Sequence, residues 1–222
     1  MRELFRAGDP LVAQDPSDGY YLESSALQDS NGQLDHSAAE PLIKRINGVA
    51  RAADQGFRPV HLRARYTAPD GTTSVVAIAG TAEARSRAWA AAVVVSCGVP
   101  VPEPPPKGPR YVKLAEQDAD VADVLRVLGQ PGSLDWYDIY KAWEIVEHAV
   151  GGWRQAVGRG WVTKADIDRL TASANHPGIS GDEARHARMR GAPGPNRTMT
   201  ISEADALVRQ LVAKWIESHP SY

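Results

Sequence analysis

Val99-Pro-Val-Pro-Glu-Pro-Pro-Pro-Lys-Gly-Pro109 carries six prolines. Proline restricts φ and removes a backbone donor, so such a run favours extended polyproline geometry and acts as a semi-rigid spacer. The patterns on its two sides differ. Residues 1–98 mix strand and helix signals, and residues 111–222 carry helix signals throughout. The reading is an α+β protein: a small N-terminal mixed α/β domain (1–98) with a β-hairpin, a proline-rich linker (99–110) and a C-terminal helical bundle domain (111–222).

On the N-terminal side, Tyr20–Ser25 is a short strand candidate. His36–Ala53 places Leu42, Ile46 and Val49–Ala50 at helical spacing. Val60, Leu62, Ala64 and Tyr66 alternate with His61, Arg63 and Arg65, the period-2 pattern of a half-buried strand. Pro59–Thr67 and Thr72–Ala79 then form a hairpin about Pro69-Asp70-Gly71, where proline presets φ and glycine accepts a positive one. Thr81–Ser96 reads as a threonine-capped helix, with a strand at Val93–Val95 as the alternative.

On the C-terminal side, Glu116–Leu128 puts Val121, Val124, Leu125 and Leu128 on one side, and Gly129 ends the helix. Leu134–Val150 is an aromatic helix with its tryptophans inward. Trp153–Val157 reads as a turn, and Thr163-x-x-Asp166 opens a helix reaching about Ala174. Ser180-x-x-Glu183 and Thr200-x-x-Glu203 are two capping-box signatures. The first predicts a helix over Ser180–Arg190 stopped by Gly191, and the second a helix through Leu207, Leu211 and Trp215. Five of the six tryptophans lie in this part, which locates most of the expected core there.

A hydrophobic share of 43% and a charged share of 23% are those of an ordinary soluble globular protein. The net charge of −2 argues against a wholly electrostatic binder of nucleic acid or membrane, while allowing a local basic surface. Cys97 is the sole cysteine, so no internal disulfide forms and zinc ligation is poorly served. The first thirty residues lack a basic start and apolar run, and Ala88–Val95 is too short to span a bilayer. The expectation is a cytoplasmic chain with no membrane partner, no metal and no cofactor.

The predicted Ser180–Arg190 helix has one large apolar residue, Met189, among Arg185, His186, Arg188 and Arg190. A helix this polar is either a solvated face or a holder of charges. On the aromatic helix, Tyr137, Lys141, Glu144 and His148 share one stripe. That stripe is a solvated face with a Lys141–Glu144 pair, or it faces Arg185 and His186. In the second case a carboxylate raises the histidine pKa and orients its ring. Residues 111–150 hold eight acids against three bases, and residues 151–199 eight bases against four acids. Such opposition leaves a basic rim at Arg154, Arg159, Arg185, Arg188, Arg190 and Arg197. Arginine's planar fork suits phosphate, and Arg188 and Arg190 are the phosphate-binding candidates. His61, His176 and His219 read as surface, turn and tail residues.

At Tyr137–Glu144 and Ala184–Arg188 the C-terminal part resembles the HEPN superfamily (higher eukaryotes and prokaryotes nucleotide-binding). These are small helical bundles, often dimeric, metal-independent endoribonucleases of phage defence and toxin–antitoxin systems. The resemblance implies Arg185, His186, Glu144 and Tyr137 as catalytic residues, the histidine as acid or base and the arginine stabilising phosphorane charge. The family signature separates arginine from histidine by four to six residues. Here Arg185 and His186 are adjacent, whereas Arg169 and His176 have six residues between them. The C-terminal part is similar, too, to uncharacterised bacterial proteins with a Trp-Tyr-Asp-x-Tyr-Lys helix, a Thr-x-x-Ala-Asn turn and a Gly-x-x-Ala-Arg-His helix. That similarity brings no function.

Two functions remain open. One is a non-catalytic regulatory or interaction protein of a bacterial system, working with a protein partner or as a homodimer, in which the Arg185–Arg190 helix anchors the structure through buried pairs to Glu144 or Asp138. The other is an RNA-cleaving or nucleotide-binding bundle.

Overall fold

The computed structural model describes residues 1–15, 19–54, 56–63, 65–68, 70–75, 95–96, 99–100, 105–184 and 197–220. The protein is α+β, with small antiparallel hairpins ahead of a helical C-terminal part. Strands β1 (Leu11–Asp15) and β2 (Gly19–Glu23) pair in the register Val12↔Leu22. Their base is tied by the Asp9 carboxylate, which accepts from Ser24 Oγ at 2.5 Å and Ser25 N at 3.1 Å.

Helix α1 (His36–Ala53) has the bounds its periodicity predicts, and Asp35 caps it by accepting from Ser37 N. β3 (Arg65–Thr67) and β4 (Thr73–Val75) form the expected hairpin, with Gly71 at φ +84° in its turn. Residues 76–79 of the expected second strand lie outside the described residues. Residues 59–63 pair with no strand, and Val60 instead exchanges two bonds with the buried amide of Asn47 on α1, at 2.9 and 3.0 Å. A side chain here substitutes for a neighbouring strand. The helix expected over Thr81–Ser96 lies outside the described residues, apart from Val95–Ser96. That pair is β5, antiparallel to β6 (Val99–Pro100).

Helix α2 (Lys107–Gln117) begins inside the stretch that reads as an extended spacer. Its first turn contains Pro109, at a position where the amide has no intrahelical partner to lose, so proline is tolerated. The single helix expected over Glu116–Leu128 is broken at Asp118. That residue is extended and caps α3 (Ala119–Leu128) by accepting from Asp120 N and Val121 N.

Four more helices follow: α4 (Trp136–Ala149), α5 (Trp153–Gly158), α6 (Lys164–Asn175) and the single turn α7 (Pro177–Ser180). Asp135 caps α4 and Thr163 caps α6. The chain ends in α8 (Ile201–Glu217), opened by a complete Thr200/Glu203 capping box.

Ser180 precedes only a 3-10 turn and its side chain caps nothing, while residues 185–190 of the helix expected there lie outside the described residues. The buried Ser180 hydroxyl donates to Ala174 O and His176 O at 3.2 Å, leaving it no part in a capping box. Gly181 (φ +58°) then turns the chain into one short 3-10 turn, Gly181–Glu183, and Ala184 is extended.

The core is continuous from Phe5 and Ile46 through Val124, Ile139, Trp143 and Leu170 to Leu211 and Ile216. α1 packs on α2, α3 and α8, and α4 on α3, α6 and α8. The α1–α3 crossing is close enough to need glycine. A Cβ at Gly48 would overlap the backbone carbonyl of Leu125, and one at Gly129 that of Lys44.

Arg51, at the end of α1, is 2% exposed. Its guanidinium donates to Leu128 O at 2.7 Å, which α3 leaves open at its C-terminus, and to Gln130 O at 3.0 Å and Gly132 O in the loop that follows. Burial, with the Arg209 cation beside it, lowers its pKa to about 10.

Candidate binding surface

Glycine shapes the surface where α5 meets α6. Gly152, at φ +105°, starts α5, and Gly160, at φ +69°, turns the chain after it. Trp161 N closes that turn on Ala156 O at 3.1 Å, and Thr163 begins α6. α5 is too short to bury both flanking tryptophans, so Trp153 and Trp161 stay half-buried while Trp136, Trp143 and Trp215 enter the core.

Each half-buried ring carries cations. The Arg154 guanidinium lies 4.6 Å and the Lys164 ammonium 5.1 Å from the Trp153 centroid, and the Arg159 guanidinium lies 4.9 Å from that of Trp161. At such distances the negative face of the indole attracts the cation. Beside these rings lies an open groove of about 420 Å³, lined by Trp161, Thr163, Lys164 and Asp166 on one side and Gln210 and Lys214 of α8 on the other.

Lys214 Nζ donates to Trp161 O at 3.3 Å, which ties α8 to the turn. The local carboxylates are already engaged: Asp166 accepts from Thr163 Oγ1 at 2.5 Å, and Asp168 pairs with Lys164. Among the described residues, Arg154 and Arg159 have no carboxylate partner. Chemically, this is an aromatic platform presenting positive charge.

Of the residues singled out by sequence, Arg185, His186, Arg188 and Arg190 lie outside the described residues. Tyr137 and Glu144 are exposed on α4, Tyr137 at 58%, and Lys141 Nζ sits 5.5 Å from the Tyr137 ring. His148 shares the exposed side, whereas Ile139, Trp143 and Val146 are buried. The Arg169 and His176 side chains both serve the backbone. Arg169 Nε donates to Thr198 O at 3.0 Å, and His176 Nδ1 accepts from Gly178 N at 3.0 Å.

His219 is more than a tail residue. Its Nε2 lies 3.4 Å from Asp118 Oδ2, its Nδ1 is 3.0 Å from Trp215 O, and its carbonyl accepts from Arg110. Nearby, Tyr111 OH donates to Glu217 at 3.5 Å, and burial together with that carboxylate pushes the phenol up to about 12. These contacts pin the end of α8 to α2 and α3. Asp138, at the start of α4, has its carboxyl raised by burial and by neighbouring Asp135.

Among the described residues, no group of three His, Cys, Asp or Glu side chains could hold a metal ion, and no helix is long and apolar enough to cross a membrane. The chain matches no family model, no curated protein and no solved structure.

The sequence pattern points Trp136 and Trp143 inward and marks Trp153–Val157 only as a turn, so it does not announce the Trp153–Trp161 surface. The usable signal was adjacency: Trp153-Arg154 and Arg159-Gly-Trp161 both sit beside glycine turns.

Proposed function

We propose that the chain is a non-catalytic interaction protein of a bacterial system, and that the Trp153–Trp161 face is what it presents to its partner. The observation that carries this reading is the pair of half-buried tryptophans, each held under an arginine at the surface. Tryptophan and arginine are the residues most enriched where protein interfaces concentrate their binding energy. Side chains already held against a ring lose less freedom when a partner arrives.

The test uses the full chain immobilised and exposed to extract of its source cell. The expected result is one protein retained by the parent chain and released by the exposed-site variant R154E/R159E. Retention that ignores this variant refutes the reading. Metal-free RNA cleavage abolished by H186A would put the ribonuclease reading in its place.

A further inference from the structure

The groove between the α5–α6 turn and α8 tells what chemistry the partner brings. Two cations line it, Lys164 and Lys214; Arg159 lies over the Trp161 ring that forms its wall, and Arg154 lies over the neighbouring Trp153 ring that Lys164 also approaches. Asp168 takes up Lys164, and Asp166 accepts from Thr163, so among the described residues Arg154, Arg159 and Lys214 are the cations here without a carboxylate partner. The surface thus has unspent positive charge beside a groove whose walls of Val157, Trp161 and Leu207 also carry the hydrogen-bonding groups of Gln210 and Thr163.

We infer that this groove docks an acidic peptide segment of a protein partner, its carboxylates meeting Arg154 and Arg159 at the rim and Lys214 within. The inference rests on the interaction reading and deepens it. Charge complementarity of this kind sets specificity and association rate more than raw affinity.

A single-stranded nucleic acid would bring negative charge as well, but it gains its affinity from bases stacked on open aromatic faces. On this surface the cations themselves cover the Trp153 and Trp161 rings, so a stacked base would have to displace them. Carboxylates reach the same cations without disturbing the platform. Arginine forks suit them well, because two parallel N–H donors match one carboxylate.

The test follows the tryptophan indole N–H signals of the isotopically labelled full chain by nuclear magnetic resonance, with a short oligoglutamate peptide as the probe. Oligoserine and oligouridylate of equal length serve for comparison. The expected result is movement of the Trp153 and Trp161 signals, with the buried Trp136 and Trp143 signals unmoved. R154E/R159E should weaken binding about tenfold, and added salt should weaken it as well. Three outcomes overturn the inference: no movement at either indole, binding indifferent to the charge reversal, or tighter binding of oligouridylate. If oligoglutamate fails while the extract partner is still released by R154E/R159E, the acidic chemistry is wrong and the interaction reading stands. If both fail, the reading falls with it.

Discussion

Replacing Gly48 by alanine should cost this protein more stability than the size of one methyl group suggests. The new Cβ would overlap the carbonyl oxygen of Leu125 and crowd its carbonyl carbon and Cα. All three are backbone atoms of α3, so no side chain can swing aside, and α1 must move off α3 as a whole. Overpacking of a tight core costs about 1–3 kcal/mol, and a backbone obstruction belongs at the upper end. Alanine returns up to about 1 kcal/mol through better helix propensity. The net expectation is a loss of about 2 kcal/mol, or a melting temperature lower by roughly 4–8 °C for a chain of this size. Gly158 provides the internal comparison, because a Cβ there meets nothing within 4 Å at the exposed end of α5. G158A should be neutral or slightly stabilising. Urea unfolding followed by circular dichroism measures both variants side by side. A G48A midpoint equal to or above the parent's would refute the close α1–α3 crossing.

R51M deprives the carbonyls of Leu128, Gln130 and Gly132 of their shared donor, and the expected loss is about 3 kcal/mol in thermal unfolding. R51K should recover only part of it, because an ammonium lacks the planar fork. N47A unpairs both backbone groups of Val60, and should cost about 1–2 kcal/mol and speed amide exchange at Val60. Burial pushes the Asp9 carboxyl upward, but the bonds from Ser24 and Ser25 outweigh this and hold it below its ordinary 3.8. A depressed carboxyl stabilises the fold above its unfolded value and loses that contribution as pH falls through the folded one. D9N should therefore flatten the acid limb of the stability profile below about pH 4 without changing its alkaline limb.

What the sequence revealed was local, and what it hid was contact between distant residues. α1 and α8 were legible because the residues forming their caps and periods are neighbours in the chain: Leu42, Ile46 and Val49 mark one, Thr200 and Glu203 the other. The same local logic failed at Ser180. There the Ser180 hydroxyl is drawn back to the carbonyls of Ala174 and His176, a competition that the Ser-x-x-Glu spacing does not encode. α2 was concealed because Pro109 punctuates a helix when read alone, yet it sits in a first turn where its missing N–H is harmless.

Arg51 reaches residues about eighty positions further along the chain, and no periodicity announces that bond. For the binding surface, Arg154 and Arg159 were legible as part of a basic rim. The tryptophans beneath them were not, since hydrophobic bulk reads as core until a helix as short as α5 leaves it at the boundary.

The claim that the Trp153–Trp161 face meets the partner is tested most directly by placing a photo-crosslinking side chain at position 159, and in a separate chain at position 144 on the exposed face of α4. Each is irradiated in cells and its adducts resolved by mass. The account predicts a discrete protein adduct from position 159 and none from position 144. An adduct from position 144 alone, or equal yields from the two, would contradict it.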